Sequence, residues 1–249
     1  MGIHADLTLG PGYHLGQRLT AAELAWLRQR ITDQYFDRLR SVDPALADDA
    51  ARLGIENYHL LQHGLDHGKF WPKETRVLPV ESAADMKTLG FYEAIEKESG
   101  PVRIRDGELN WRLVRPHAAD DVGSIHADCW FDRWFYGVDY PDGWDHFKIW
   151  IPIHAEPGLN GLSVKPYSQL RSDWKYHTET RNSLPKPVLD ENVEDLNMQL
   201  LPLAAGEEVI FHDRMLHGGV VNRGSRCRVS LELTLCRTDF KTRRLGRAA

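Results

Sequence analysis

His126 and Asp128 stand one residue apart, and His217 and then Arg228 follow far downstream. Two imidazoles and one carboxylate can form the three-ligand face that holds a non-haem Fe(II) and leaves coordination positions open. An arginine beyond them carries a planar fork of donors that matches the far carboxylate of a small dicarboxylic cosubstrate. In an extended strand end, residues i and i+2 project to one face, so His126 and Asp128 can grip one ion together.

Other residues compete for these roles. His4-Ala5-Asp6 repeats the spacing near the N-terminus without a helpful setting and reads as accidental. His212, beside Asp213 at the end of the preceding strand, is the rival of His217 for the third position. His59, His63 and His67 recur every four residues, but Gly64 and Gly68 interrupt that face and a solvated surface is the simpler reading. Behind the metal motif crowd Trp130, Phe131, Trp134, Phe135, Tyr136, Tyr140 and Trp144. Packing accounts for some of them; others, Trp130 first, could wall a substrate pocket, where aromatic faces suit sugar rings. Arg115 and Lys148 are charged residues in apolar strands, either pointing outward or contacting the cosubstrate or an anionic substrate.

The first third of the chain, about residues 1–100, reads as a helical preface. Thr20-Ala21-Ala22-Glu23 has capping-box spacing, Leu19 and Leu24 sit as a hydrophobic staple, and Leu27, Ile31, Tyr35 and Leu39 continue one face. Further helices are expected over 44–65 and 82–98, the second entered from Ser82 and ended near Gly100. From 101 to 240 the period changes to two: Val102 to Ile104, Leu109 to Val114, Phe147 to Ile153, Leu162 to Val164, Glu207 to Phe211 and Arg228 to Leu235 read as strands. The fold class expected is mainly β with a helical N-terminal third, a double-stranded β-helix (jelly-roll) core buttressed by helices. The stretch 165–200 is polar, carries Pro166, Pro185 and Pro187, shows no sustained period, and is expected to be a structureless lid or insertion over the site. Period-two alternation puts Arg228 and Ser230 on one face, which can present a guanidinium and a hydroxyl to one carboxylate.

With 249 residues, 42% hydrophobic and 27% charged, the chain is expected to form one domain, 1–249, with no linker or repeat. A net charge of −5 argues against general nucleic-acid binding; the basic tail Lys241, Arg243, Arg244 and Arg247 reads as a solvated terminus. No apolar run reaches the roughly 20 residues of a membrane span. Three cysteines without C-x-x-C spacing indicate neither a disulfide framework nor a thiolate zinc site. These features lead to the expectation of a cytoplasmic protein acting on a small-molecule substrate, and they leave the oligomeric state open.

The chain resembles the Fe(II)/2-oxoglutarate-dependent dioxygenases, in particular the phytanoyl-CoA hydroxylase-like superfamily. The resemblance spans about residues 108–236 and rests on His126-x-Asp128, His217-Gly218, Asn222-Arg223, Arg228-Val229-Ser230, and the strand Phe147 to Ile153 followed by Gly158-Leu159-Asn160-Gly161-Leu162. It implies that His126, Asp128 and His217 bind Fe(II), that Arg228 with Ser230 anchors 2-oxoglutarate, and that O2 is the second cosubstrate. It further implies hydroxylation of an unactivated C–H bond of a small polar metabolite, such as a sugar or sugar nucleotide; an amino-acid or peptide-like precursor fits equally. Asp128 bears on the outcome, because related halogenases lack this carboxylate. The sequence departs from the family at Val164-Lys165-Pro166-Tyr167-Ser168-Gln169, where Pro-Gly-Ser-His is common, so the substrate side is unassigned. The competing reading is a cupin-like metal-dependent isomerase or binding protein that does not use 2-oxoglutarate; Arg228 and Ser230 disfavour it.

Overall fold

The computed structural model describes residues 2–61, 66–139, 146–181, 184–238 and 243–244. Along the chain come helix α1 (Ile3–Thr8), strand β1 (Tyr13–Arg18), helices α2 (Ala21–Val42), α3 (Pro44–Leu53), α4 (His67–Phe70), α5 (Val80–Met86) and α6 (Gly90–Ser99), strand β2 (Val102–Val114) and helix α7 (Asp128–Phe131). Strands β3 (Val138–Asp139), β4 (His146–His154), β5 (Leu162–Val164), β6 (Tyr176–Arg181), β7 (Leu184–Leu189), β8 (Gln199–Leu200), β9 (Glu207–His212), β10 (His217–Gly219), β11 (Arg228–Arg237) and β12 (Arg243–Arg244) follow.

Helix α2 begins where its capping box predicts: Thr20 accepts the Glu23 N–H, and the Glu23 carboxylate returns to the Thr20 backbone. The same carboxylate accepts the Phe91 N–H at 3.0 Å, which ties α6 to the start of α2. Leu27, Ile31, Tyr35 and Leu39 form the buried stripe of α2. Each contributes roughly 1.5–3 kcal/mol of transfer free energy on burial. The stripe packs against Ile149, Ile151, Ile153, Leu231, Leu233 and Leu113 in one apolar core.

Those residues form one face of a five-stranded sheet of order β1-β9-β4-β11-β2, antiparallel throughout. Because side chains alternate along a strand, the intervening residues must face the other way. Trp150, Val209 and Phe211 there pack with Leu162, Val164 and Met215, and so join the large sheet to the three-stranded sheet β10-β5-β8. The molecule is thus a layer of helices, a large antiparallel sheet and a smaller one. Arg112, Lys148, Arg228, Ser230 and Glu232 lie in the register positions of its inner face.

Several local expectations are corrected. The helical third contains β1, which pairs with β9 at the edge of the large sheet. Nothing local marks so short a strand; its partner lies almost two hundred residues away in sequence. Helix α3 stops at Leu53 because Gly54 takes φ 78°, and a 3-10 segment, Ile55–Leu60, replaces its expected continuation, while residues 62–65 lie outside the described residues. The 82–98 segment is two helices, α5 and α6, and the end expected at Gly100 is found there, with φ 82°. The two strands expected between Val102 and Val114 are one, with a register shift against β11.

The 165–200 segment is not structureless. It holds the hairpin β6–β7 and the short β8. Pro185 and Pro187 hid β7 because proline cannot donate to a ladder, but β7 pairs on one side only, with β6, where prolines are tolerated. Among the described residues, no helix is long and apolar enough to cross a membrane. Of the basic tail, Arg243 and Arg244 pair as β12 with β3; Lys241 and Arg247 lie outside the described residues.

Candidate active site

His126 and His217 form an isolated antiparallel bridge: the His126 N–H donates to the His217 carbonyl at 3.0 Å, and the His217 N–H to that of His126 at 2.9 Å. His126 therefore does not sit in a continuous strand, and Asp128 opens α7 rather than following it in an extended run. The shared face expected of an i, i+2 strand pair is replaced by an extended Ala127, which turns the carboxylate back toward the rings. Gly218 permits the bridge, since a Cβ there would lie 2.8 Å from Ile125 Cδ1.

The side chains converge. Each imidazole Nδ1 lies against a carbonyl two residues upstream, His126 on Ser124 at 2.7 Å and His217 on Met215 at 2.9 Å. With Nδ1 donating there, both Nε2 lone pairs are directed inward, which is the outer-shell arrangement that orients metal-ligating histidines. His126 Nε2 lies 3.7 Å from Asp128 Oδ1, and His217 Nε2 lies 3.5 Å from Asp128 Oδ2. The three donors fall within 4.8 Å of one another and could hold a metal ion.

Electrostatics favour the ligating protonation states. Burial opposes ionisation of Asp128, but Lys148, His217 and His126 outweigh it and hold its carboxyl well below the usual range. Burial pushes the His217 pKa down, so the ring stays neutral. Lys148 Nζ lies 3.8 Å from Asp128 Oδ2, 3.4 Å from Glu108 and 4.0 Å from Glu232. Burial works against its charge; the three carboxylates more than offset that and keep it an ammonium.

Beside the triad, Arg228 is 3% exposed and donates from Nη1 to the Gly161 carbonyl at 2.7 Å. Burial, then the nearby Arg112, lowers its pKa to about 10, still well above neutrality. Arg228 Nε, Ser230 Oγ and Asp128 Oδ2 are all buried without a hydrogen-bond partner. Such groups are costly unless something binds them. A divalent cation suits the carboxylate oxygen, and a carboxylate suits the guanidinium and hydroxyl, so the residues fit both groups. Arg228 and His217 line one cleft with His126, Trp150, Arg112 and Glu232.

His212 is turned away: its Nδ1 lies 2.9 Å from Asp213 Oδ1, and it takes no part in the metal cluster. His4 and Asp6 fall in α1, where Asp6 meets His14 at 2.8 Å. His59 contacts the Cys227 sulfur at 3.5 Å, His67 lies 3.6 Å from Asp121, and His63 lies outside the described residues. Trp130 stacks on Tyr176 at 4.3 Å within the cluster beneath the β6–β7 hairpin, so its ring is packing and not a wall of the cleft. Phe131 meets His126 edge-on at 5.1 Å, and Trp134 is half exposed; the Phe135 and Tyr136 side chains, Tyr140 and Trp144 lie outside what the structure describes. Arg115 is gripped by Asp121 through Nε and Nη2, both at 2.8 Å, which commits it to an ion pair rather than to the cleft. Lys148 does reach the centre, although through Asp128.

Sequence reasoning passed over Arg112, Trp150 and Glu232. Glu232 was findable, since it continues the Arg228–Ser230 alternation by one more step. Arg112 was not, because it reaches the cleft only through the pairing of β2 with β11, opposite Ser230.

The fold has solved counterparts. The chain superimposes on a structure described as a non-heme monooxygenase, ThoJ in its apo form, with a TM-score of 0.63 at 14% identity over 98% of this chain and 79% of that one. It shares this architecture. A non-heme alpha ketoglutarate dependent carbocyclase, SnoK from nogalamycin biosynthesis, gives a TM-score of 0.56 at 15% identity, covering 96% and 84% of the two chains. EctD from S. alaskensis, with 2-oxoglutarate and 5-hydroxyectoine, gives 0.57 at 15% identity, covering 99% and 80%. No family model and no curated protein matches the chain.

Proposed function

We propose that this chain is a single-domain Fe(II)/2-oxoglutarate-dependent oxygenase that hydroxylates an unactivated C–H bond of a small polar metabolite, a sugar or sugar nucleotide. The two sheets are read as its double-stranded β-helix. One observation carries the proposal: the His126–Asp128–His217 donor set is compact, its two histidines line one cleft with Arg228, and Asp128 Oδ2, Arg228 Nε and Ser230 Oγ are buried without a hydrogen-bond partner. The solved counterparts support it through their shared fold.

Fe(II), 2-oxoglutarate and O2, bound together, would supply oxidation of the substrate with release of succinate and CO2. The chain's own residues do the rest. His126, Asp128 and His217 would hold the metal on one face, and the Ser124 and Met215 carbonyls keep the imidazoles aimed at it. Arg228 and Ser230 would fix the distal carboxylate, the guanidinium itself braced on the Gly161 carbonyl. Lys148 keeps Asp128 ionised and in place. Trp150, beside Arg228, and Phe211, whose ring lies 4.6 Å from that of His217, exclude water from the centre. A cytoplasmic setting accords with three buried free cysteines, Cys129, Cys227 and Cys236.

The test is direct. Purified protein with Fe(II), ascorbate, O2 and 2-oxoglutarate should release succinate, and Asp128→Ala should abolish that release. If wild-type protein neither binds 2-oxoglutarate nor converts it with candidate substrates present, the oxygenase reading fails and a cupin-like metal protein takes its place.

A further inference from the structure

The charges around the cleft do not balance. Arg115 is spent on Asp121, and Lys148 is shared among Asp128, Glu108 and Glu232. On the proposed reading, Arg228 is taken by the cosubstrate. Two guanidiniums are then left. Arg112 lines the cleft from β2, directly across from Ser230, and has no hydrogen-bond or ion-pair partner among the described residues. Arg76 ends the short turn Lys73–Arg76, whose next residue, Val77, bridges to Asn110 beside Arg112. Its Nε is buried and likewise unpartnered.

We infer that Arg112 and Arg76 form an oxyanion subsite that holds a phosphate or carboxylate group of the substrate at the mouth of the cleft. It rests on the oxygenase reading for the assignment of Arg228 to the cosubstrate and for the bound group being a substrate; the absence of partners for Arg112 and Arg76 Nε does not. Two adjacent guanidiniums repel each other, and each presents a planar donor fork that phosphate and carboxylate oxygens fit. Burial, then Arg112, lowers the Arg76 pKa to about 10, so Arg76 remains cationic near neutrality. The neighbouring groups fit the rest of such a molecule. Asn110 Oδ1 is buried without a donor, and Glu232 is opposite Asn110 in the β2–β11 register, so two acceptors for hydroxyl or amine hydrogens stand beside the cationic pair. The substrate class is therefore a polar anionic metabolite with hydrogen-bond donors near its charged group.

The experiment reads the arginines themselves. Protein loaded with Zn(II), a diamagnetic substitute for Fe(II), is titrated with sodium sulfate, methyl phosphate and acetate, with and without 2-oxoglutarate. Ionic strength is held constant with chloride while arginine Nε–Hε resonances are followed. The resonances of Arg76 and Arg112, assigned by their loss in R76K and R112K, should shift saturably with 2-oxoglutarate present. The apparent affinity should fall at least tenfold in R76M. A stronger response to sulfate and methyl phosphate than to acetate supports a phosphate group; the reverse supports a carboxylate. The inference is overturned if both resonances drift without saturation, as those of the exposed Arg40 should, or if only Arg228 responds and the anion merely displaces the cosubstrate. Saturation at Arg76 and Arg112 in a protein that never converts 2-oxoglutarate would retain the anion site and reject the oxygenase reading.

Discussion

His126 and His217 face each other across a two-hydrogen-bond bridge, so backbone pairing sets the spacing of the two candidate metal donors. Their ring centroids lie 4.6 Å apart. Gly218 lies in this bridge, and Ile125 packs against it. Gly218→Val should force these segments apart, weaken Zn(II) or Co(II) binding at least tenfold by calorimetry, and cost about 1–3 kcal/mol of stability, as overpacking of a tight site does. Unchanged metal affinity would mean that the pairing does not set the donor spacing.

Lys148 is the cation among three carboxylates, and its side chain is 10% exposed. Removing one partner of a buried charge group leaves the others uncompensated and typically costs about 3–5 kcal/mol. Lys148→Met should show a loss of that size in urea unfolding of metal-free protein. A bound divalent cation supplies replacement charge at Asp128, so saturating Zn(II) should recover much of it. Equal losses with and without metal would contradict this role.

Arg228→Lys keeps the charge but removes the fork. The half-saturating concentration of 2-oxoglutarate should rise about 10–100-fold, equivalent to about 1.4–2.8 kcal/mol, with a smaller change in kcat at saturation. Ser230→Ala should raise it less, because one neutral hydrogen bond contributes only about 0.5–1.5 kcal/mol. Succinate release against cosubstrate concentration measures both.

Glu208 on β9 is 2% exposed and projects into the irregular part of β1, where its Oε1 accepts the Gln17 N–H at 3.2 Å. A Cβ on Gly16 would overlap this carboxyl, so glycine makes the space for it. Burial, the main cause, pushes the Glu208 pKa up to about 8 from an ordinary 4.5. Between those values the native state binds more protons than the unfolded chain, so stability falls as pH rises. Urea midpoints should decline from pH 5 to pH 8 and level off above. Glu208→Gln, which imitates the neutral acid, should flatten that decline; a parallel decline in the variant would refute the assignment.

How much of this was legible in the sequence depended on the range over which each residue acts. The capping box at Thr20 and Glu23 and the apolar alternation of Phe147 to Ile153 act within a turn or a strand, and both appear where expected. The convergence of His126, Asp128 and His217 was readable because residue type limits the chemistry, although Asp128 belongs to a helix start and not to a strand. Strand β1 and Arg112 were hidden, for each acquires its place from a partner strand distant in sequence. The aromatic cluster misled in a different way: whether Trp130 lines a cleft or fills a core depends on Tyr176, which the β6–β7 hairpin supplies.

Strand β4 writes two sets of instructions on alternate letters. Phe147, Ile149, Ile151 and Ile153 serve the helical core, while Lys148 and Trp150 serve the cleft. A slip of one residue would exchange the two sets and ruin both at once. The same division keeps the cleft residues of β2, β4 and β11 apart from their apolar neighbours, so each strand carries core and cleft at once without either taking the other's positions.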